Sequence, residues 1–108
     1  MRKALILLAL AVFAAAMITG GFVRADQSDP EVQEALSFAV DQIKEQNRPE
    51  QFVRLIEAYT QVVNGINFRL IAHFATEDGT LPHEIIVYKP FAGDIMMTKF
   101  ERFHASEN

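Results

Sequence analysis

Residues 61–74, Gln61-Val62-Val63-Asn64-Gly65-Ile66-Asn67-Phe68-Arg69-Leu70-Ile71-Ala72-His73-Phe74, decide the fold. Asn64-Gly65 is a strong hairpin signal, because both residues tolerate the positive φ that a tight turn between antiparallel strands requires. After it, Ile66, Phe68, Leu70, Ala72 and Phe74 alternate with Asn67, Arg69 and His73, which marks a strand with one buried and one wetter face. Before it, Phe52 to Val63 is rich in β-branched and aromatic residues and reads as the partner strand.

Downstream, Thr76-Glu77-Asp78-Gly79-Thr80-Leu81-Pro82 reads as a polar turn and Glu84 to Lys89 (EIIVYK) as the next strand. Pro90-Phe91-Ala92-Gly93 forms a second hairpin turn, and Asp94 to Phe103 the last strand. Upstream, Ser28 and Glu31 have the spacing of a capping box, with Pro30 tolerated in a first helical turn. Val32, Ala35, Leu36, Ala39, Val40 and Ile43 then recur at helical spacing as one apolar stripe, and Gln46-Asn47-Arg48-Pro49 ends the helix. The pattern predicts an α+β domain: one long helix packed on a four- to five-stranded antiparallel sheet.

Composition narrows the chemistry. The chain has no cysteine, which excludes thiol catalysis, disulfide bridges and zinc–thiolate sites, so a hydrophobic core must supply the stability. The formal charge of −4 argues against nucleic acid or an anionic membrane as partner. His73, His83 and His104 lie on separate segments with no helical i, i+4 pairing, so they read as solvated or strand-face histidines, with no metal or cofactor implied. Met96-Met97 reads as packing, Tyr59 and Phe52 likewise, and Glu31, Glu34 and Asp41 as a solvated helix face. No cluster of acid, base and nucleophile suggests an enzyme.

The N-terminus has a different character. Arg2 and Lys3 precede an unbroken apolar run from Ala4 to Ala16, shorter than the ~20 residues a spanning helix needs. A basic start, a short apolar core and small residues at its end predict a secretory signal peptide, residues 1–16, and a secreted domain over residues 17–108. Val23-Arg24-Ala25 offers a second cleavage point, after Ala25.

Several pieces of this layout together resemble the cystatin family. Gly20-Gly21 lies upstream of the helix, and Gln61-Val62-Val63-Asn64-Gly65 matches the family's Gln-x-Val-x-Gly signature in the first hairpin. Pro90-Phe91 stands where the family has Pro-Trp, and Ala35-Leu36-Ser37-Phe38-Ala39-Val40-Asp41 is similar to the family's helix. The resemblance covers residues 17–103 and implies a reversible, competitive protein inhibitor of papain-like, cathepsin-type cysteine proteases. In that reading the hairpin tips and the N-terminal trunk form a wedge for the active-site cleft. Gln61, Val62, Val63, Asn64 and Gly65 would enter beside the thiolate, and Pro90-Phe91 would anchor the primed side. Gly20 and Gly21 would approach the catalytic centre, with Ile18 and Thr19 in the non-primed subsites. A monomer is expected, with domain-swapped dimers a hazard at hairpin hinges.

The departures are specific. Phe91 replaces Trp, and Thr19 is more polar than the aliphatic residue usual there. Animal secreted cystatins carry two disulfides; their absence here is similar to plant cystatins and stefins. Some cystatins also inhibit asparaginyl endopeptidases through an Asn after the helix, but Asn47 reads better as a helix C-terminal cap. The competing reading is a cystatin-fold binding or carrier module without inhibition.

Overall fold

The computed structural model describes residues 21–104. In chain order it contains β1 (Val23–Arg24), α1 (Pro30–Glu45), β2 (Gln51–Val62), β3 (Gly65–Thr76), β4 (Gly79–Pro90) and β5 (Met96–Arg102). The strands form one antiparallel sheet in the order β1-β2-β3-β4-β5, with α1 across one face, which is the expected α+β architecture.

The two sequence periodicities meet in the core. Of the stripe read at spacing 3.6, the helix buries Val32, Ala35, Leu36, Ala39 and Ile43, while Val40 is partly buried against the same core. The sheet answers with Ala58 on β2, Phe68, Leu70, Ala72 and Phe74 on β3, and Ile85 and Val87 on β4. Ala35, Ala39, Ala58 and Ala72 are all fully buried, so small side chains let the helix lie close to the strands. Each large side chain buried here contributes about 1.5–3 kcal/mol through removal of apolar surface from water. In β2, register shifts at Phe52/Arg54 and Leu55/Glu57 are bulges, and such bulges bend and twist a strand.

The helix ends differ in detail from the sequence reading. The N-cap is Asp29, not Ser28: Asp29 Oδ1 accepts from the Glu31 N–H at 2.9 Å, while Ser28 donates its N–H and hydroxyl to Asp26 Oδ1. Proline is the reason. It drives the residue before it into extended backbone, here φ −57 and ψ 128 at Asp29, and that is an N-cap conformation. At the other end Asn47 has φ 57, and the Asn47 and Arg48 N–H groups donate to the Lys44 and Ile43 carbonyls. That is a Schellman cap with Asn in the left-handed position, as the cap reading of Asn47 requires.

Two strand boundaries are corrected as well. The turn expected over Thr76–Pro82 contains only Glu77-Asp78, because β4 begins at Gly79 and includes Leu81 and Pro82. Pro82 lies just beyond the last β4–β5 pair, His83–Arg102, and accepts from the Phe103 N–H, so its missing donor falls at the end of that ladder. The last strand starts at Met96 rather than Asp94. Met97 packs against the core, whereas Met96 faces solvent. Phe52 packs edge-on against Phe74, as read.

Of the two readings for the histidines, solvated or strand-face, His83 takes the second: it sits on the buried face of β4. It is 3% exposed, stacked on Phe100 with ring centroids 5.2 Å apart and edge-on to Phe74. Its Nδ1 lies 2.9 Å from the Leu81 carbonyl, so Nδ1 carries the proton and donates. On the opposite face of the sheet, Glu84 accepts from Arg69 at 2.6 Å and pairs with Lys99 at 2.8 Å. Partial burial pushes the Glu84 carboxyl up, but its bonds to Lys99 and Arg69 outweigh that and hold it below the usual carboxylate range.

Candidate functional site

The motif residues come together at one end of the sheet because of register. The last β2–β3 pair is Val62–Ile66, so Val63, Asn64 and Gly65 form the first tip. Both residues expected at positive φ have it, Asn64 at 52° and Gly65 at 138°. The connection spans three residues beyond that pair, rather than the two of the tightest hairpins. Gly65 also pairs with Pro90, the last residue of β4. The first tip and the start of the second turn, Phe91 to Ile95, are therefore neighbours across a single strand pair. Lys89 ties this region to the helix through a 3.0 Å ion pair with Glu34, a bond that raises the lysine's pKa.

Gly65 is required by space as much as by φ. A Cβ there would lie 2.7 Å from the Lys89 carbonyl oxygen, 2.8 Å from the Pro90 Cα and 2.8 Å from the Tyr88 hydroxyl. Two of these are backbone atoms of the adjacent strand and cannot yield without opening the β3–β4 pair.

Gln61 pairs with Asn67 across the hairpin and accepts from its side-chain amide at 3.2 Å. Val62, half-buried, points to the helix side, while Val63 and Asn64 are exposed.

Tyr88 is the residue of this region that motif reading missed. It stands opposite Asn67, on the face turned away from the helix. Its hydroxyl donates to the Asn64 carbonyl at 2.5 Å and reaches the Val63 carbonyl at 3.3 Å. The strand pattern of Glu84 to Lys89 puts Tyr88 on the wetter face, but only the pairing with β3 brings it beneath the tip.

The N-terminal segment joins the same end. Val23 and Arg24 pair with Thr60 and Tyr59, and the Ala25 N–H donates to the Ala58 carbonyl at 2.8 Å. Gly21 and Phe22, just upstream of Val23, therefore lie toward the Gln61 end of β2, and Gly21 is exposed. Ile18, Thr19 and Gly20, and the expected signal segment, lie outside the described residues.

The surface chemistry of this end is apolar. Five large hydrophobic side chains are exposed among the described residues, and four of them lie at or near it: Phe91 at 72%, Met96 and Val23 at 47%, and Val63 at 45%. Scattered exposed hydrophobics need no explanation; of these four only Val63 and Phe91 stand on the two tips themselves, with Val23 and Met96 on the opposite edge strands β1 and β5. Among the described residues, no group of three His, Asp or Glu side chains comes together to hold a metal.

Comparison with known proteins agrees with this geometry. Residues 20–102 match the model of the cystatin domain. The chain is 37% identical over 57 residues to a cystatin of Bitis arietans, covering 50% of this chain and 51% of that protein. It is 39% identical over 56 residues to cystatin-C of Bos taurus, covering 49% of this chain and 38% of the relative. The matched stretches thus span about half or less of either relative. With the family model covering the helix, every strand and both hairpin tips, the chain belongs to the cystatin family.

Proposed function

We propose that this protein is a reversible, competitive inhibitor of papain-like, cathepsin-type cysteine proteases and not an enzyme. It docks as a wedge: Gln61, Val62, Val63, Asn64 and Gly65 in the first tip, Pro90 and Phe91 in the second, and Ile18 to Gly21 alongside. The observation that carries the reading is the exposed apolar rim of Val63 and Phe91 on two tips joined by the Gly65–Pro90 pair.

The mechanism is geometric. A substrate is cut when it lies extended in the cleft with a carbonyl presented to the thiolate. A tip whose backbone turns through positive φ at Asn64 and Gly65 can fill the cleft without lying extended. Phe91, 72% exposed, can bury its ring in the partner at little conformational cost. Because both tips are held by strand pairing, little ordering is required on docking, which favours affinity.

Secretion after removal of residues 1–16 completes the proposal. Cleavage after Ala25 would instead remove β1 and its pairing with Thr60 and Tyr59, an edge pairing that the earlier cut keeps and that supports it. Titration of the mature protein against papain and a cathepsin L-like enzyme tests the function, with tight competitive inhibition expected. Phe91 in place of Trp is what favours the alternative, a cystatin-fold binding module. Failure to bind either active or inactivated enzyme would overturn the wedge.

A further inference from the structure

We infer that Tyr88 is a positioning residue for the first hairpin tip, pinning its carbonyls to the outer face of the sheet so that the tip docks preformed and resists cleavage. The inference rests on the wedge reading above for its consequence in inhibition, but the brace itself is a property of the free protein.

The argument starts from the tip's own hydrogen bonds. Within it, the Val63 N–H donates to the Gly65 carbonyl at 2.9 Å. The Asn64 and Val63 carbonyls instead receive the Tyr88 hydroxyl, at 2.5 and 3.3 Å. These are the carbonyls of the two most exposed positions of the tip. A tyrosine three residues before the second turn thus fixes the backbone of the first. The two tips are coupled by a side chain as well as by the Gly65–Pro90 pair.

Glycine at position 65 is what permits this. The Tyr88 hydroxyl sits 2.8 Å from where a Cβ of residue 65 would stand, so a side chain there would displace it. The signature glycine of this hairpin therefore has a second function beyond its turn conformation: it leaves the volume that the brace occupies.

The chemical consequence concerns both affinity and turnover. A cysteine protease attacks a carbonyl carbon while hydrogen-bond donors in its oxyanion hole hold the oxygen. An oxygen already bonded to Tyr88 on the outer face is directed away from such donors. A braced tip also loses less conformational freedom on docking, and that gain is expressed mainly as slower dissociation.

The test is Tyr88→Phe in the full mature chain, which keeps the ring and removes only the hydroxyl. Circular dichroism and thermal midpoint matched to the parent establish that the fold is intact. Dissociation from inactivated papain is expected to quicken by about 5- to 10-fold, the size of one net hydrogen bond, with association changed by less than about twofold. In parallel, limited digestion of the free protein by subtilisin, mapped by mass spectrometry, should cut between residues 62 and 66 faster in the variant. Parental dissociation together with a parental rate of tip cutting would overturn the inference. Should the parent fail to bind papain, the wedge reading falls, while the subtilisin arm still decides whether Tyr88 braces the tip.

Discussion

Gly65→Ala and Gly79→Ala together form a controlled experiment on the close approach of the two tips. Both glycines have positive φ, 138° and 107°, so alanine at either position suffers backbone strain. Such strain costs about 1–3 kcal/mol. Only Gly65 is crowded. Its Cβ would stand 2.7–2.8 Å from the Lys89 oxygen, the Pro90 Cα and the Tyr88 hydroxyl, whereas nothing lies within 4 Å of a Cβ on Gly79. Overpacking against the two backbone atoms, which cannot swing aside, costs a further ~1–3 kcal/mol. Gly79→Ala is therefore expected to lose about 1–3 kcal/mol and Gly65→Ala about 2–6 kcal/mol. Urea denaturation of both variants measures the difference, which is the energetic signature of the close approach. Relief of the clash in Gly65→Ala parts β3 from β4 at the tips, so its inhibition constant should also rise by at least about tenfold, a hot-spot effect. Gly79 lies at the opposite end of β4, and its alanine variant should inhibit like the parent. Equal losses of stability in the two variants would refute the crowding argument.

Three further outcomes are expected. Phe91→Ala should weaken inhibition by about 1–3 kcal/mol while changing stability by less than about 0.5 kcal/mol, and Phe91→Trp should hold or improve affinity, as read by inhibition constants and melting curves. Glu84 is held below its ordinary pKa, so its network adds stability above the unfolded carboxyl's value of about 4.3 and loses it as pH falls through the lower folded value. Glu84→Gln should thus cost about 1–2 kcal/mol at pH 7, with a penalty that shrinks as the parent's own carboxylate protonates, visible in denaturation midpoints between neutral and strongly acidic pH. A chain beginning at Asp26 lacks β1 and Gly20-Gly21, and should inhibit a cathepsin ~1–4 kcal/mol less well than one beginning at Met17, through faster dissociation. Equal inhibition by both chains would remove the N-terminal segment from the wedge.

The helix and the four long strands are legible in the sequence because burial writes itself as periodicity. The stripe from Val32 to Ile43 and the alternation from Phe68 to Phe74 correspond to buried positions in the fold. What stays illegible depends on partners distant in sequence. Val23-Arg24 carries no strand pattern, and becomes β1 only because Tyr59 and Thr60 offer a free edge. His83 reads equally as solvated or strand-face until β4 pairs it with Ala72 on the helix side and Phe100 stacks on it. The N-cap lies one residue beyond Ser28 because the capping-box spacing of Ser28 and Glu31 competes with the backbone restriction that Pro30 places on Asp29. In the candidate site, the tip residues are readable from Asn64-Gly65 and Pro90-Phe91. Tyr88 is not, since its contact with the Asn64 carbonyl arises across 24 residues of chain.

The alignment of the tips follows from the core rather than from the tips themselves. Strand β3 pairs with both neighbours, and its first residue, Gly65, borders Val63-Asn64 on one side and Pro90 on the other. Sliding β3 against β4 by one residue would turn Phe68, Leu70, Ala72 and Phe74 away from the helix, at a cost of several buried side chains. The same slip would part Gly65 from Pro90 and move Tyr88 from beneath Asn64. A register fixed by hydrophobic burial thus fixes the geometry of an exposed edge that contributes almost nothing to that burial. The edge is free to vary in chemistry, as Phe91 in place of Trp illustrates, while its shape is inherited from the packing of the opposite face. Volume-conserving changes among the β3 core residues should therefore spare inhibition as long as the register holds, even where they lower stability.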